Sequence, residues 1–353
     1  MGDKVSLCFG YTGYPLDTLY GHGDEYFDQT VKLNGEVDRG IRDIIKDFNP
    51  TLIHSHNAPD TLTLSAINVS KDIPVIHDVH EALSLHRSGF KSGDDDETYT
   101  RYCEEERLAN EMSNGRIYST DGICEYIQRR YDFDTENDLT FYDYPSASMM
   151  PHHFRDKISE RDGEIHIVYV GCVTSVVESH YDLRNIFEDL SSHKMHIHIY
   201  PTTNLVTQSN DSYKKLADSN DFIHFHDTMN QKKLLEEMTQ YDFGWIGLNR
   251  ANNRQHLDIA LPNKVMEYVS CGLPVLAFPH RTIQMFIENN GVGLVANNVG
   301  ELKNLISGDL TEIKDNVLDL RQKLGIEYQI SKVVNFYKQI TNEDLESPQT
   351  NFS

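Results

Sequence analysis

Short apolar runs alternate with amphipathic stretches along most of the 353-residue chain. In the first half, Lys4–Phe9, Thr51–His56, Ile73–His77, Gly115–Tyr118 and Leu139–Tyr142 read as strands. Residues 35–47 place Val37, Ile41, Ile44 and Ile45 on one helical face and stop at Asn49-Pro50. Residues 60–69 and 99–113 read as helices, and Ser119-Thr-Asp-Gly122 opens another that carries Ile123, Tyr126 and Ile127. The Gly- and Tyr-rich residues 10–26 show no helical period, and Gly10, Gly13, Gly21 and Gly23 do not make G-x-G-x-x-G. After a polar, poorly periodic stretch a second series begins at Ile165. Strands at 165–170, 195–200, 222–226, 242–246, 274–277 and 292–295 alternate with helices centred near 186, 214, 234, 266, 285, 303 and 317. A last helix takes 327–341. Such alternation predicts an α/β chain with parallel, doubly wound sheets.

Composition narrows the class. This length suits two domains of ordinary size. The apolar runs fall far short of the ~18 residues of a membrane span, and no signal-peptide pattern opens the chain. Five scattered cysteines without Cys-x-x-Cys spacing predict a reduced, cytoplasmic protein with neither disulfide framework nor zinc ribbon. A peripheral contact with the membrane is compatible with that location. The formal net charge of −23 argues against nucleic acid as a partner.

The most informative stretch is Leu261 to Ala277. Pro262 suits the first turn of a helix, where its missing NH has no intrahelical partner. Gly272 reads as the left-handed residue that closes the helix, and Pro274 stops it from resuming. Val275-Leu-Ala277 is then a short buried strand. The helix start, with Lys264 beside it, is set to face an anion. Glu267 lies about 7.5 Å further along the axis, at about 1.5 Å per residue. That is the spacing of a diphosphate from its ribose, whose hydroxyls a carboxylate accepts well. The bland alternative is a crossover helix whose Lys and Glu simply face solvent.

Pro262-Asn-Lys-Val-Met-Glu-Tyr268, followed by Cys-Gly-Leu-Pro-Val275, resembles the nucleotide-sugar motif of GT-B glycosyltransferases, and among them the retaining family 4 (group 1) enzymes. The likeness spans residues 45–340 and is strongest at 261–277. It implies two Rossmann-like doubly wound domains facing a cleft: residues 1–150 on the acceptor side and 165–326 binding the nucleotide sugar, joined by a linker at 151–164. Residues 327–345 would cross back to the first domain, before a tail at 346–353. In the resembled family the counterpart of Glu267 holds the donor ribose. Pro262, Asn263 and Lys264 would meet the diphosphate, Gly171 would let the donor approach the end of its strand, and Asp227 and Thr228 would cradle the base. His80 takes the position that points into the cleft and touches the sugar, and Asp143 replaces the asparagine of an Asn-x-Pro turn. The implied donor is a UDP- or GDP-sugar, the acceptor a glycan or lipid-linked molecule, and no metal or other cofactor is required.

The first half carries its own chemistry. His77, Asp78 and His80 are metal-ligating types without a further strong ligand fixed beside them; His54 and His56 join only if strand order brings them close. Residues 87–100 read as a solvated acidic loop rather than an acceptor gate.

Three departures from the family pattern stand out. The arginine and lysine expected after Gly171 are replaced by Cys172-Val-Thr-Ser-Val-Val-Glu178, leaving Lys264, Arg254 and Arg250 as substitutes. The partner of Glu267 in the family's glutamate pair falls at Ile259, with Asp258 one position off. The family's opening strand, loop and helix have no counterpart ahead of Lys4–Phe9, so a shortened first domain is expected, either covered by a protein partner or a second copy or left with a reduced acceptor site. The leading expectation is a sugar transferase that retains anomeric configuration and works by positioning and electrostatics, with His80, Lys264 and Glu267 as its catalytic set. A catalytically weak subunit that partners an active transferase, and a sugar-nucleotide epimerase, are the alternatives.

Overall fold

Every strand ladder among the described residues is parallel. The computed structural model describes residues 5–20, 23–88, 96–177, 179–202, 207–249 and 254–342. β1 (Cys8–Tyr11) pairs with β2 (Gln29–Lys32) in a small sheet of its own. β3 (Ile53–His56), β4 (Val75–Val79), β5 (Gly115–Tyr118) and β6 (Asp138–Thr140) lie side by side in chain order. β7 (Ile165–Gly171), β8 (Met195–Pro201), β9 (Ile223–Phe225), β10 (Phe243–Trp245), β11 (Val275–Ala277) and β12 (Gly293–Val295) form the second large sheet, in the order β9-β8-β7-β10-β11-β12. Counted from β7, that is the doubly wound order 3-2-1-4-5-6. The crevice outside the C-terminal ends of β7 and β10, where the winding reverses, is where such sheets take their ligands.

The α/β expectation and the strand positions of the second half hold. The N-terminal region differs. Residues 10–26 contain a helix at Leu16–Tyr20 and a turn of 3₁₀ helix at Asp24–Tyr26, and β2 follows. Three of its four residues are exposed, so no buried face imprints a period on its sequence. The first strand begins at Cys8; Lys4 lies outside the described residues, as do residues 89–95 of the acidic loop, Glu178, Arg250 and the tail.

Side-chain alternation explains the layers. Along β7, Ile167 and Tyr169 pack with Leu183, Phe187 and Leu190, while Val168 and Val170 pack on the opposite face with Leu235, Val265 and Val269. β8 sends Met195, Ile197 and Ile199 to the first face. The second face of β7 and β8, continued onto β9, carries a ladder of imidazoles. Asp162 meets His166 (3.0 Å), His166 meets His198 (2.9 Å), and His198 meets His226 (3.0 Å). A parallel row runs from Glu164 to His196 and on to His224 (2.9 Å).

The helix Ser331–Thr341 lies against the four-stranded sheet, with Val333 and Phe336 on Ile76 and Ile117. The two large sheets also meet through the helix Asp121–Arg130. Thr120 Oγ1 donates to the Ile259 carbonyl (2.7 Å), and Arg281 pairs with Glu125 (2.6 Å). A methyl group on Gly122 would lie 2.2 Å from Thr282 Oγ1 and 2.7 Å from the Ile259 backbone, so the two halves touch there almost chain to chain. No helix among the described residues is long and apolar enough to cross a membrane.

Candidate functional site at the end of β7

The helix Lys264–Ser270 begins beside the winding reversal. Its first turn forms over Pro262, whose carbonyl accepts from the Val265 amide (2.9 Å), and the Asn263 side chain caps nothing. At the far end Gly272 is left-handed (φ 72°), and the Leu273 amide folds back onto the Tyr268 carbonyl (2.9 Å). β11 follows, fully buried.

Tyr268 fixes this helix to the sheet. Its hydroxyl accepts from the Val170 amide (3.1 Å) and donates to the Trp245 carbonyl (3.0 Å), tying together the ends of β7 and β10. Gly244 makes room for the ring: a methyl group there would fall 2.1 Å from it. The sequence displays this tyrosine in its motif, but its bridging role depends on two strands that only the fold brings together.

With the helix pinned, Lys264 reaches back over β7. Its Nζ lies 4.5 Å from the centre of the Tyr169 ring and 3.4 Å from the Tyr169 hydroxyl. The Tyr181 ring stands 5.8 Å away. A methyl group on Gly171 (φ 138°) would sit 2.8 Å from Nζ, so glycine is what lets lysine occupy the strand end. Part of Lys264 remains open to solvent, yet burial between the tyrosines pushes the amine down to about 8, and nearby Cys172 and Glu267 only partly offset this. A cation poorly solvated in this way gains by meeting an anion. Glu267, half-buried, accepts from Gln231 Nε2 (3.0 Å) and makes no ion pair among the described residues. Asp227 and Thr228 are exposed in the loop after β9, just before Gln231.

The other expected substitutes lie elsewhere. Arg254 pairs with Asp258 (3.5 Å) on the helix Arg254–Ile259 and is largely exposed. Ile259, at the position of the family's second glutamate, packs with Ile123 and Ile127 of the first half instead of facing a ligand.

His80 follows β4, its amide held by Asn57 Oδ1 (2.8 Å). Burial opposes protonation of its ring, but the hydrogen bond and charge of Asp78, with the charges of Asp143 and Glu81, outweigh it and hold His80 above its ordinary value. Asp143 Oδ1 is 3.7 Å from Nδ1. Strand order does bring the neighbouring histidines in: β3 lies beside β4, with His56 opposite Asp78. His77, one residue out of phase, turns to the other face and meets Thr63 (2.8 Å).

Residues 176–336 match the family model of the glucosyltransferase 3-like C-terminal domain. Over 87–99% of its length the chain also superposes on solved structures that include glycosyltransferases. A glycosyltransferase from Rickettsia africae has a TM-score of 0.68 at 14% identity, covering 96% of this chain and 91% of that one. HepE of Anabaena, solved with UDP and glucose, has a TM-score of 0.66 at 12% identity, covering 94% and 91%. The chain has the GT-B glycosyltransferase fold. The same GT-B architecture is shared by a putative UDP-N-acetylglucosamine 2-epimerase from Listeria monocytogenes, with a TM-score of 0.59, 12% identity and coverage of 99% and 91%. In sequence, chitobiosyldiphosphodolichol beta-mannosyltransferase of Candida albicans is 20% identical over 222 residues, 59% of this chain and 47% of the relative. The chain thus spans about half the length of the curated relative it matches.

Proposed function

We propose that this chain binds a nucleoside-diphosphate sugar in the crevice above β7 and β10 and transfers the sugar, with retention, to a glycan or lipid-linked acceptor. The observation that carries this reading is Lys264 Nζ poised over Gly171 at the winding reversal. One lysine there takes up the task of the missing arginine–lysine pair: it neutralises the diphosphate and stabilises it as it leaves. Glu267 accepts from the ribose hydroxyls, turned toward them by Gln231, and Asp227 and Thr228 flank the base. Asn263 and Pro262 line the diphosphate, and His80 orients the sugar from the opposite wall. In this reading 1–150 and 165–326 are the working lobes, joined by 151–164, and 327–345 ties the second back to the first.

Ile259 favours a second reading, a catalytically weak subunit that partners an active transferase. An apolar contact between the lobes stands where a carboxylate would help hold the donor. A thermal-shift panel of UDP-, GDP-, ADP- and CMP-sugars tests donor binding, repeated with Glu267→Ala. One nucleotide class is expected to stabilise the wild type, and the variant to lose most of that shift. Stabilisation by none would refute the donor site. Product analysis without acceptor then separates hydrolysis or transfer from epimerisation, and donor binding without turnover would establish the subunit reading.

A further inference from the structure

We propose a site for a divalent transition-metal ion of the zinc class at the C-terminal ends of β3 and β4, formed by His54 Nε2, His56 Nδ1 and Asp78 Oδ2. It rests on this cluster alone and not on sugar transfer. Parallel register puts His56 opposite Asp78, with His54 two residues back on the same face. Asp78 Oδ2 lies 2.9 Å from His54 Nε2, 3.1 Å from His56 Nδ1 and 3.4 Å from His80 Nε2. His56 Nδ1 and His80 Nε2 are 3.1 Å apart. The ligand atoms of His54, His56 and Asp78 all lie within 4.8 Å of one another. A tetrahedron with metal–ligand bonds of about 2.0–2.1 Å has edges of about 3.3 Å, close to the 2.9 Å and 3.1 Å from Asp78 to His54 and His56, and solvent would take the fourth corner.

Proton accounting points the same way. Three ring nitrogens converge on one carboxylate oxygen. If His56 and His80 both donate to it, their hydrogens crowd each other across 3.1 Å. A central cation accepts one lone pair each from His54, His56 and Asp78 and removes the conflict, leaving the His80 NH to face Asp78 Oδ2. The far nitrogen of His54 is held by the Tyr337 hydroxyl (2.6 Å), the outer contact that orients a ligating imidazole. His56 is 59% exposed and leaves an entry path, while Asp78 is nearly closed off. The ladder on β7–β9 contrasts with this: its nitrogens pair off two by two and share no common point. Two imidazoles and one carboxylate suit zinc, cobalt or nickel over magnesium or calcium. An ion here would couple the β3–β4 edge to the helix Ser331–Thr341 through His54 and Tyr337.

The test is titration of the metal-stripped full chain with Zn²⁺ by calorimetry and with Co²⁺ by visible absorption, in the absence of any nucleotide. We expect one equivalent bound, with the intense bands of tetrahedral cobalt. His56→Ala, at an exposed side chain, should weaken binding at least about tenfold, and Tyr337→Phe about tenfold through the outer contact. His224→Ala, in the ladder, should change neither reading. No saturable binding by the wild type, a weak octahedral cobalt spectrum, or a His56→Ala variant equal to the wild type would each overturn the proposal. Because nucleotide is absent, the outcome is independent of whether the chain transfers sugar.

Discussion

Acidification should unfold this protein through the imidazole ladder, and the slope of that loss follows from the structure. Burial is the main reason that His198 stays far below its ordinary value, and the charges of His224, His226, His166 and His196 add to it. Burial and the charge of His196 likewise push His224 down to about 4. His166 and His226 are lowered by burial as well, against the pull of Asp162 and Asp242 on the first and of Glu237 and Asp227 on the second. In the unfolded chain each imidazole titrates near 6.5. The folded state therefore binds fewer protons, so the contribution is complete above pH 6.5 and is lost as pH falls toward the folded values. At pH 5.5 an unfolded imidazole is about nine-tenths protonated and His198 is neutral, so His198 alone supplies a slope of about 1.2 kcal/mol per pH unit. His224 is more open to solvent, and with its share discounted for screening the pair reaches about 2 kcal/mol per pH unit. Urea midpoints measured from pH 7.5 to 5, at constant m-value, give the total slope, to which His180, pushed down to about 4 by burial, also contributes. His198→Gln keeps a hydrogen-bonding side chain and removes the titration, and should lower the slope by about 1.2 kcal/mol per pH unit. A slope unchanged in that variant, or stability that rises on acidification, would refute the reasoning.

Two further outcomes follow from the site. Tyr268→Phe leaves the Val170 amide and the Trp245 carbonyl without their buried partner; the expected loss is about 2–4 kcal/mol in urea unfolding, and a loss below about 1 kcal/mol would mean that the bridge is dispensable. Nucleotide-sugar binding should weaken as pH rises through about 8, where Lys264 loses its charge. Lys264→Met should bind about 10- to 100-fold less tightly, with a pH profile flat over that range, and a variant profile that still bends near 8 would assign the titration to another group.

Legibility in the sequence tracked burial. The strands of the second half are enclosed between two helical layers, so their apolar runs announce them, and Gly272 and Pro274 mark the end of a helix through backbone constraints that act locally. β2 escaped notice because solvent covers most of it and nothing selects alternation there. The pairing of Lys264 with Gly171 was readable only as two separate motif positions, since their contact spans 93 residues and depends on Tyr268 bridging strands that are distant in the chain. The cluster around Asp78 was hidden for a similar reason. Its four side chains lie within 27 residues, but the face each takes depends on which strand neighbours which, and His77 shows how a one-residue offset removes a candidate. The fate of Ile259 was also beyond reach, because the surface that it covers belongs to the other half of the molecule.

The near-touching backbones at Gly122 bear on how the cleft can move. With no side chain to act as a cushion, the halves cannot press closer there, and the Thr120–Ile259 hydrogen bond resists their separation. What is left is rotation about a fulcrum. A bulky residue placed at 122 would therefore wedge the jaws apart without altering any group inside them.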